Sequence, residues 1–216
     1  MPLKVVSFAA YLTTDDAPWR DADYCASMFV KAIKKRPFNG YGQIPVCGTS
    51  HRLVEANSDD SIQWFGEMAA EYLKGRLRGQ VALVPVPNSV CTIKNKMVPR
   101  TVLLAESIAA RLNGFLLWDG LRWKKAMTPS SQGGTRDPHE LYENLLVIKN
   151  MPHDKIVLID DVRTKGAHLI AAKARLAEKG GNCCLALCAG RTVLTQERNP
   201  FSTAEDELDD FTPEVK

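Results

Sequence analysis

Two consecutive carboxylates, Asp160 and Asp161, follow the unbroken apolar run Ile156, Val157, Leu158 and Ile159. After them come Val162, Arg163, Thr164, Lys165 and Gly166, and then Ala167 and His168 at the head of a stretch with helical periodicity. Four consecutive apolar residues suit a parallel strand buried on both faces. Acids at the carboxyl end of such a strand lie where open α/β sheets hold their ligands. A helix that starts just past a glycine-bearing loop offers free backbone N–H groups and the positive end of its dipole, and both favour an anion such as phosphate. Arg163 and Lys165 add positive charge. Carboxylates that can accept hydroxyl hydrogen bonds, beside a loop that can hold a phosphate, describe a pocket for a phosphorylated sugar. The plainer alternative is two acids that merely cap a strand end and a helix.

The elements that would position these residues can be read around them. From residue 80 onward, short apolar runs alternate with helical patterns, as in a parallel sheet with crossover helices. Strands are expected at 81–84, 115–118, 156–159 and 183–188, and helices at 99–112 and 167–179. Pro99 suits a first helical turn, and Asn113-Gly114 suits a stop. Residues 120–139 form a long polar stretch, of a length that is usually functional or disordered. Before residue 75 two helices are expected, at 22–35 and 61–77, joined by the turn-rich stretch 37–42. We therefore expect a mainly helical, hood-like layer over 1–78, a core over 79–195, and an acidic, flexible tail over 196–216.

The 156–169 stretch closely resembles the ribose-phosphate motif of type I phosphoribosyltransferases: four apolar residues, two acids, then a Thr/Gly-rich loop. That resemblance implies an α/β fold with a mostly parallel sheet flanked by helices. It implies that Asp160 and Asp161 hold the ribose 2- and 3-hydroxyls, and contact Mg²⁺ directly or indirectly. It also implies that the loop from Val162 and Arg163 through Thr164, Lys165, Gly166, Ala167 and His168 wraps the 5-phosphate. Lys165 and His168 stand where the family usually has hydroxyl residues. The stretch Val84-Pro85-Val86-Pro87-Asn88-Ser89, with Lys94, Lys96 and Arg100 after it, looks like the second strand-end loop of the ComF-like and amidophosphoribosyltransferase-like branch. In the wider family that loop approaches the pyrophosphate, so Pro87, Asn88, Ser89 and Arg100 become candidate contacts. Gln132-Gly133-Gly134-Thr135-Arg136, with Asn144 beyond, sits where a mobile catalytic loop closes over substrate, which makes Arg136 a candidate too. The first 75 residues lack the four-cysteine zinc module of many ComF-like proteins.

The resemblance implies transfer of ribosyl 5-phosphate from phosphoribosyl pyrophosphate to a nitrogen acceptor such as a nucleobase, with Mg²⁺ as cofactor. No residue can be named as base for the acceptor. A second reading keeps the fold without turnover: a phosphoribosyl pyrophosphate or nucleotide sensor, or an accessory protein of nucleic-acid metabolism. Hydrolysis or phosphorolysis of a nucleotide at the same site is a third. Type I relatives often dimerise, so a homodimer is an expectation from resemblance.

Net charge is +3, but the last twelve residues carry six acids and one Lys, which leaves +8 on the other 204. A moderately basic body suits a polyphosphate ligand. Nucleic acid is kept open as a partner, although no run of five clustered basic residues supports it. The six cysteines show no C-x-x-C pair and no zinc spacing, so reduced thiols in a cytoplasmic protein are expected. No apolar run approaches a membrane span, and the N-terminus lacks the apolar stretch of a secretory signal. His51, His139 and His153 are isolated, and Trp64, Trp118 and Trp123 read as packing residues.

Overall fold

The computed structural model describes residues 2–95, 97–128, 133–151, 155–211 and 213. In chain order the elements are β1 (Leu3–Ser7), β2 (Ala10–Leu12), α1 (Asp21–Ile33), β3 (Gly42–Val46), β4 (Thr49–Leu53), α2 (Asp60–Leu73), β5 (Val81–Pro85) and α3 (Arg100–Ala109). They continue as β6 (Phe115–Leu117), β7 (Leu121–Trp123), α4 (Pro138–Asn144), β8 (Leu145–Val147), β9 (Lys155–Arg163), α5 (Ala167–Glu178), β10 (Asn182–Val193) and β11 (Ala204–Leu208). The central sheet has the order β11-β1-β10-β9-β5-β6, with β2 extending the pairing of β10. Every pairing in it is parallel except β1 with β11. The expected architecture, a mostly parallel sheet flanked by helices, is what the chain adopts.

β9 alternates its side chains between two separate cores. Val157 and Ile159 face a layer formed by α1, α2 and α3, through Phe29, Ile33, Phe65, Leu73, Leu104 and Ile108. Ile156 and Leu158 face the opposite layer, where α5 brings Leu169, Ala172 and Leu176 and the paired strands β7 and β8 bring Trp123 and Leu145. Each such side chain contributes about 1.5–3 kcal/mol by leaving water. That two-sided burial is why the run at 156–159 is apolar at every position.

The segment before residue 78 is not a separate layer throughout. Its two helices form where the periodicity places them, but β1 lies inside the central sheet, between β10 and β11. The turn-rich connector at 37–42 leads into the β3–β4 hairpin, whose alternating burial at Gly42, Ile44 and Val46 closes over the α1–α2 layer. The hairpin turns at Cys47 (φ +47°) and Gly48 (φ +88°), two left-handed residues as a tight two-residue turn requires.

The acidic tail also differs from expectation. Residues 204–208 form the edge strand β11, paired antiparallel with β1 from Leu3↔Leu208 to Ser7↔Ala204. Several acids of this segment have basic partners. Glu205 pairs with Lys4 and accepts from Tyr72 Oη (2.9 Å), Asp206 pairs with Arg163, and Asp210 beyond the strand pairs with Lys173. A charged edge strand of this kind also resists pairing with another chain. Among the described residues no helix is long and apolar enough to cross a membrane.

Candidate functional site

The connections of the sheet place a crevice between β9 and β5. From β5 the chain passes through α3 to β6 in one direction, and from β9 through α5 to β10 in the other. The two helices consequently cover opposite faces. Such a reversal leaves an opening at the carboxyl ends of the two strands, where ligands of open α/β sheets bind. β5 stops pairing at Pro85↔Ile159, and the next amide, of Val86, donates to the Ile159 carbonyl (2.9 Å). β9 runs on alone on that side, paired only with β10 as far as Arg163↔Arg191. Asp160 and Asp161 are the first residues of β9 past the point where its neighbour departs. The strand is therefore longer than its apolar run, and the acids belong to it.

The carboxylates are tied down locally. Asp160 Oδ1 accepts from the Asp161 amide (2.8 Å), and Asp161 Oδ1 accepts from the Val162 amide (2.6 Å). Burial, and then the adjacent Asp161 charge, push the Asp160 carboxyl up to about 8, against the opposing pull of its backbone hydrogen bond and of Lys34. Lys34 was not foreseen from sequence. It follows the last turn of α1, and its Nζ lies 3.5 Å from Asp161 Oδ1 and 3.4 Å from Oδ2. Nothing local marks it, since 127 positions separate the pair.

The loop beyond the acids is short. Thr164 and Lys165 are exposed, and Gly166 (φ +79°) occupies the N-cap position of α5. Glycine is required there twice over: the backbone is left-handed, and a Cβ would come within 2.3 Å of Leu208 Cδ1 on β11. The first-turn amides of α5 have no partners inside the helix and face the loop. Ala167 is buried, and His168 is half-buried with its imidazole edge-on to Trp123 (5.7 Å, 80°). Burial pulls the His168 pKa down, so the ring stays neutral near pH 7 despite the opposing effect of Asp161. Arg163 is committed to Asp206 on β11.

Across the crevice, the loop after β5 is fixed from two sides. Trp123 Nε1 donates to the carbonyls of Pro87 (3.1 Å) and Asn88 (2.9 Å), and Thr101 Oγ1 donates to the Val86 carbonyl (2.7 Å). The Ser89 carbonyl accepts from the Met127 amide (2.9 Å). Trp123 thus links the 87–89 loop to His168, a role beyond packing. Pro87 is buried, Asn88 exposed and Ser89 half-buried. Arg100 has a different employment from the one expected. Its guanidinium donates to the carbonyls of Ile33 and Ala32 (3.5 Å to the latter), closing the C-terminal end of α1. Burial there pulls its pKa down, while Asp59 and Asp161 oppose the shift.

Arg136 is exposed, one residue before Asp137, whose side chain caps α4 by accepting from the His139 amide (3.0 Å). Asn144 is a structural clamp: its side chain accepts from the Lys125 amide (3.1 Å) and donates to the Lys125 carbonyl (3.0 Å). Lys96, Gln132 and His153 lie outside the described residues.

No protein-family model matches this chain, and no characterised relative matches it in sequence. Solved structures similar to it include an adenine phosphoribosyltransferase at 10% identity, covering 76% of this chain and 89% of that one, with a TM-score of 0.42. Another is the Giardia lamblia enzyme complexed with 9-deazaadenine, at 13% identity, covering 81% and 98%, with a TM-score of 0.41. A third is the Trypanosoma brucei adenine phosphoribosyltransferase in complex with AMP, pyrophosphate and ribose-5-phosphate, at 12% identity, covering 88% and 87%, with a TM-score of 0.39. The chemistry of the crevice has to be read from its own residues.

Proposed function

We propose that this crevice binds a ribose 5-phosphate unit, presented as phosphoribosyl pyrophosphate, and transfers it to a nitrogen acceptor such as a nucleobase. One observation carries the reading: two adjacent carboxylates stand on β9 just past the point where β5 departs, and the left-handed Gly166 that opens α5 follows a few residues on. In this reading Asp160 and Asp161 accept hydrogen bonds from the ribose hydroxyls. The backbone of Thr164 through His168 surrounds the 5-phosphate, with the exposed Lys165 as a point charge. The 87–89 loop forms the opposite wall, and Arg136 approaches from the 133–137 stretch. The bond from the anomeric carbon to pyrophosphate breaks with its electron pair leaving on the pyrophosphate. The acceptor nitrogen forms the new bond with its lone pair, and its proton passes to solvent. The protein's part is positioning and charge stabilisation.

The residues suit Mg²⁺. Asp160 and Asp161 are hard oxygen donors, and a carboxyl pushed up to about 8 gains from added positive charge. Among the described residues no three acids, histidines or cysteines gather to hold a metal by themselves, so the ligand's own oxygens would complete the shell. When bound, the cation supplies neutralisation of pyrophosphate charge. The six unpaired cysteines fit a reducing, cytoplasmic setting. The ComF-like branch, as a finer placement, rests on the sequence 84–89 and the basic stretch after it.

A second reading, a sensor that binds without turnover, is favoured by two features: His168 is neutral and Arg100 is spent on α1, which leaves fewer cations for pyrophosphate. Calorimetric titration with phosphoribosyl pyrophosphate and Mg²⁺ tests both readings, alongside the double variant Asp160→Asn, Asp161→Asn. Saturable binding lost in the variant is the expected result, and pyrophosphate release with a panel of nucleobases then separates transferase from sensor. A folded native protein that takes up no ligand sinks both.

A further inference from the structure

The crevice has a cation that no motif announced. Lys34 reaches both oxygens of Asp161 from the C-terminal end of α1, and its side chain is one quarter exposed. It is held there by design of the backbone. The Lys34 amide donates to the Val30 carbonyl (3.0 Å), Lys35 adopts a left-handed conformation (φ +50°), and Arg100 fastens the carbonyls of Ala32 and Ile33.

The topology of ribose says what would meet this ammonium. In a furanose 5-phosphate the two ring hydroxyls lie along one edge, while C5 with its phosphate and the anomeric carbon lie at opposite ends. With the phosphate at the start of α5 and the hydroxyls on Asp160 and Asp161, the anomeric carbon falls on the side of the crevice away from α5. α5 covers one face of the sheet, and α1 and α3 cover the other. The substituent on the anomeric carbon therefore projects toward the α1 corner, where Lys34 stands.

We propose, building on the functional reading above, that Lys34 binds the anomeric pyrophosphate of the donor and stabilises the charge it carries away on leaving. Arg100 is then a positioning residue: it acts through α1 by fixing where Lys34 begins. Lysine suits this task as a point charge on a flexible stem, able to pass from Asp161 to a ligand phosphate.

Three ligands separate this role from that of a mere counter-ion: ribose 5-phosphate, pyrophosphate with Mg²⁺, and phosphoribosyl pyrophosphate with Mg²⁺. They are titrated against the native protein, Lys34→Met and Lys34→Arg, with thermal melts to verify folding. Lys34→Met is expected to weaken both pyrophosphate-bearing ligands by about 10-fold or more while leaving ribose 5-phosphate within about threefold. Lys34→Arg keeps the charge and is expected to recover most of the loss. An equal loss for all three ligands overturns the assignment, because Lys34 would then act only on Asp161, and so does the absence of any loss. If the native protein fails to bind ribose 5-phosphate, the functional reading falls first and this assignment with it.

Discussion

The two sides of the carboxylate pair are assembled in different ways. On the α5 side, Asp160, Gly166 and His168 come from nine consecutive residues, and their relation is set by one strand end and one helix start. On the α1 side, Lys34 and Arg100 are brought to Asp161 from two other helices, through an ion pair and a helix-end clamp. The local side depends on backbone geometry, and the assembled side on the packing of α1 and α3 in a shared core. A disturbance of the first should therefore damage phosphate binding directly. A disturbance of the second should act mainly on what surrounds the anomeric carbon.

The sharpest way to break this contrast is Gly166→Val. A side chain there meets Leu208 and forces a β-branched residue into a left-handed conformation, which costs on the order of 1–3 kcal/mol from backbone strain alone. The expected outcome is a lowered thermal midpoint and loss of ribose 5-phosphate binding by calorimetry; a variant that keeps both would show that the loop does not depend on this turn. Next in size is Arg100→Leu, which leaves the Ile33 carbonyl without its donor, while that of Ala32 keeps the Lys35 amide, and costs on the order of 1–3 kcal/mol. Here pyrophosphate affinity should fall more than ribose 5-phosphate affinity, and an equal fall would erase the distinction between the two sides.

A last contrast concerns pH. Asp160 has its carboxyl raised to about 8 in the folded protein, against 3.8 for the ordinary group. The folded state holds a proton that the unfolded chain releases, so stability from this residue is present at low pH and is lost as pH rises from about 4 to about 8. The charged groups that act on it are Asp161 and Lys34, and the buried Cys188 lies beside it with its thiol pushed up by burial. Asp160→Asn fixes the neutral form. It is expected to raise the melting temperature at pH 8 and to change it little at pH 4. Equal melting curves at both pH values would show that Asp160 is not held protonated by its surroundings.

Much of the helical and strand pattern after residue 80 was legible because local and tertiary demands agree there. The run 156–159 is apolar at every position because both of its faces are covered, and Gly166 is forced by its own φ. The misread regions are those in which local composition points elsewhere. β11 reads as a solvated acidic end, and becomes a strand only because Lys4, Tyr72 and Arg163 meet its acids while β1 offers it an edge. β1 and the β3–β4 hairpin are five-residue segments, too short to declare themselves before their partners are known. Arg100 reads as a surface cation near a phosphate loop; the proximity of α1's last carbonyls gave it other work.

By itself the sequence determined the strand, the paired acids, the glycine turn and the helix that follows, because each is written in neighbouring residues through backbone geometry and apolar burial. Only the tertiary structure decided that α3 and α5 cover opposite faces, that the acids open into the crevice so formed, and that Lys34 is the cation beside Asp161. Those depend on contacts between segments far apart in the chain, which form only when the shared cores close around them.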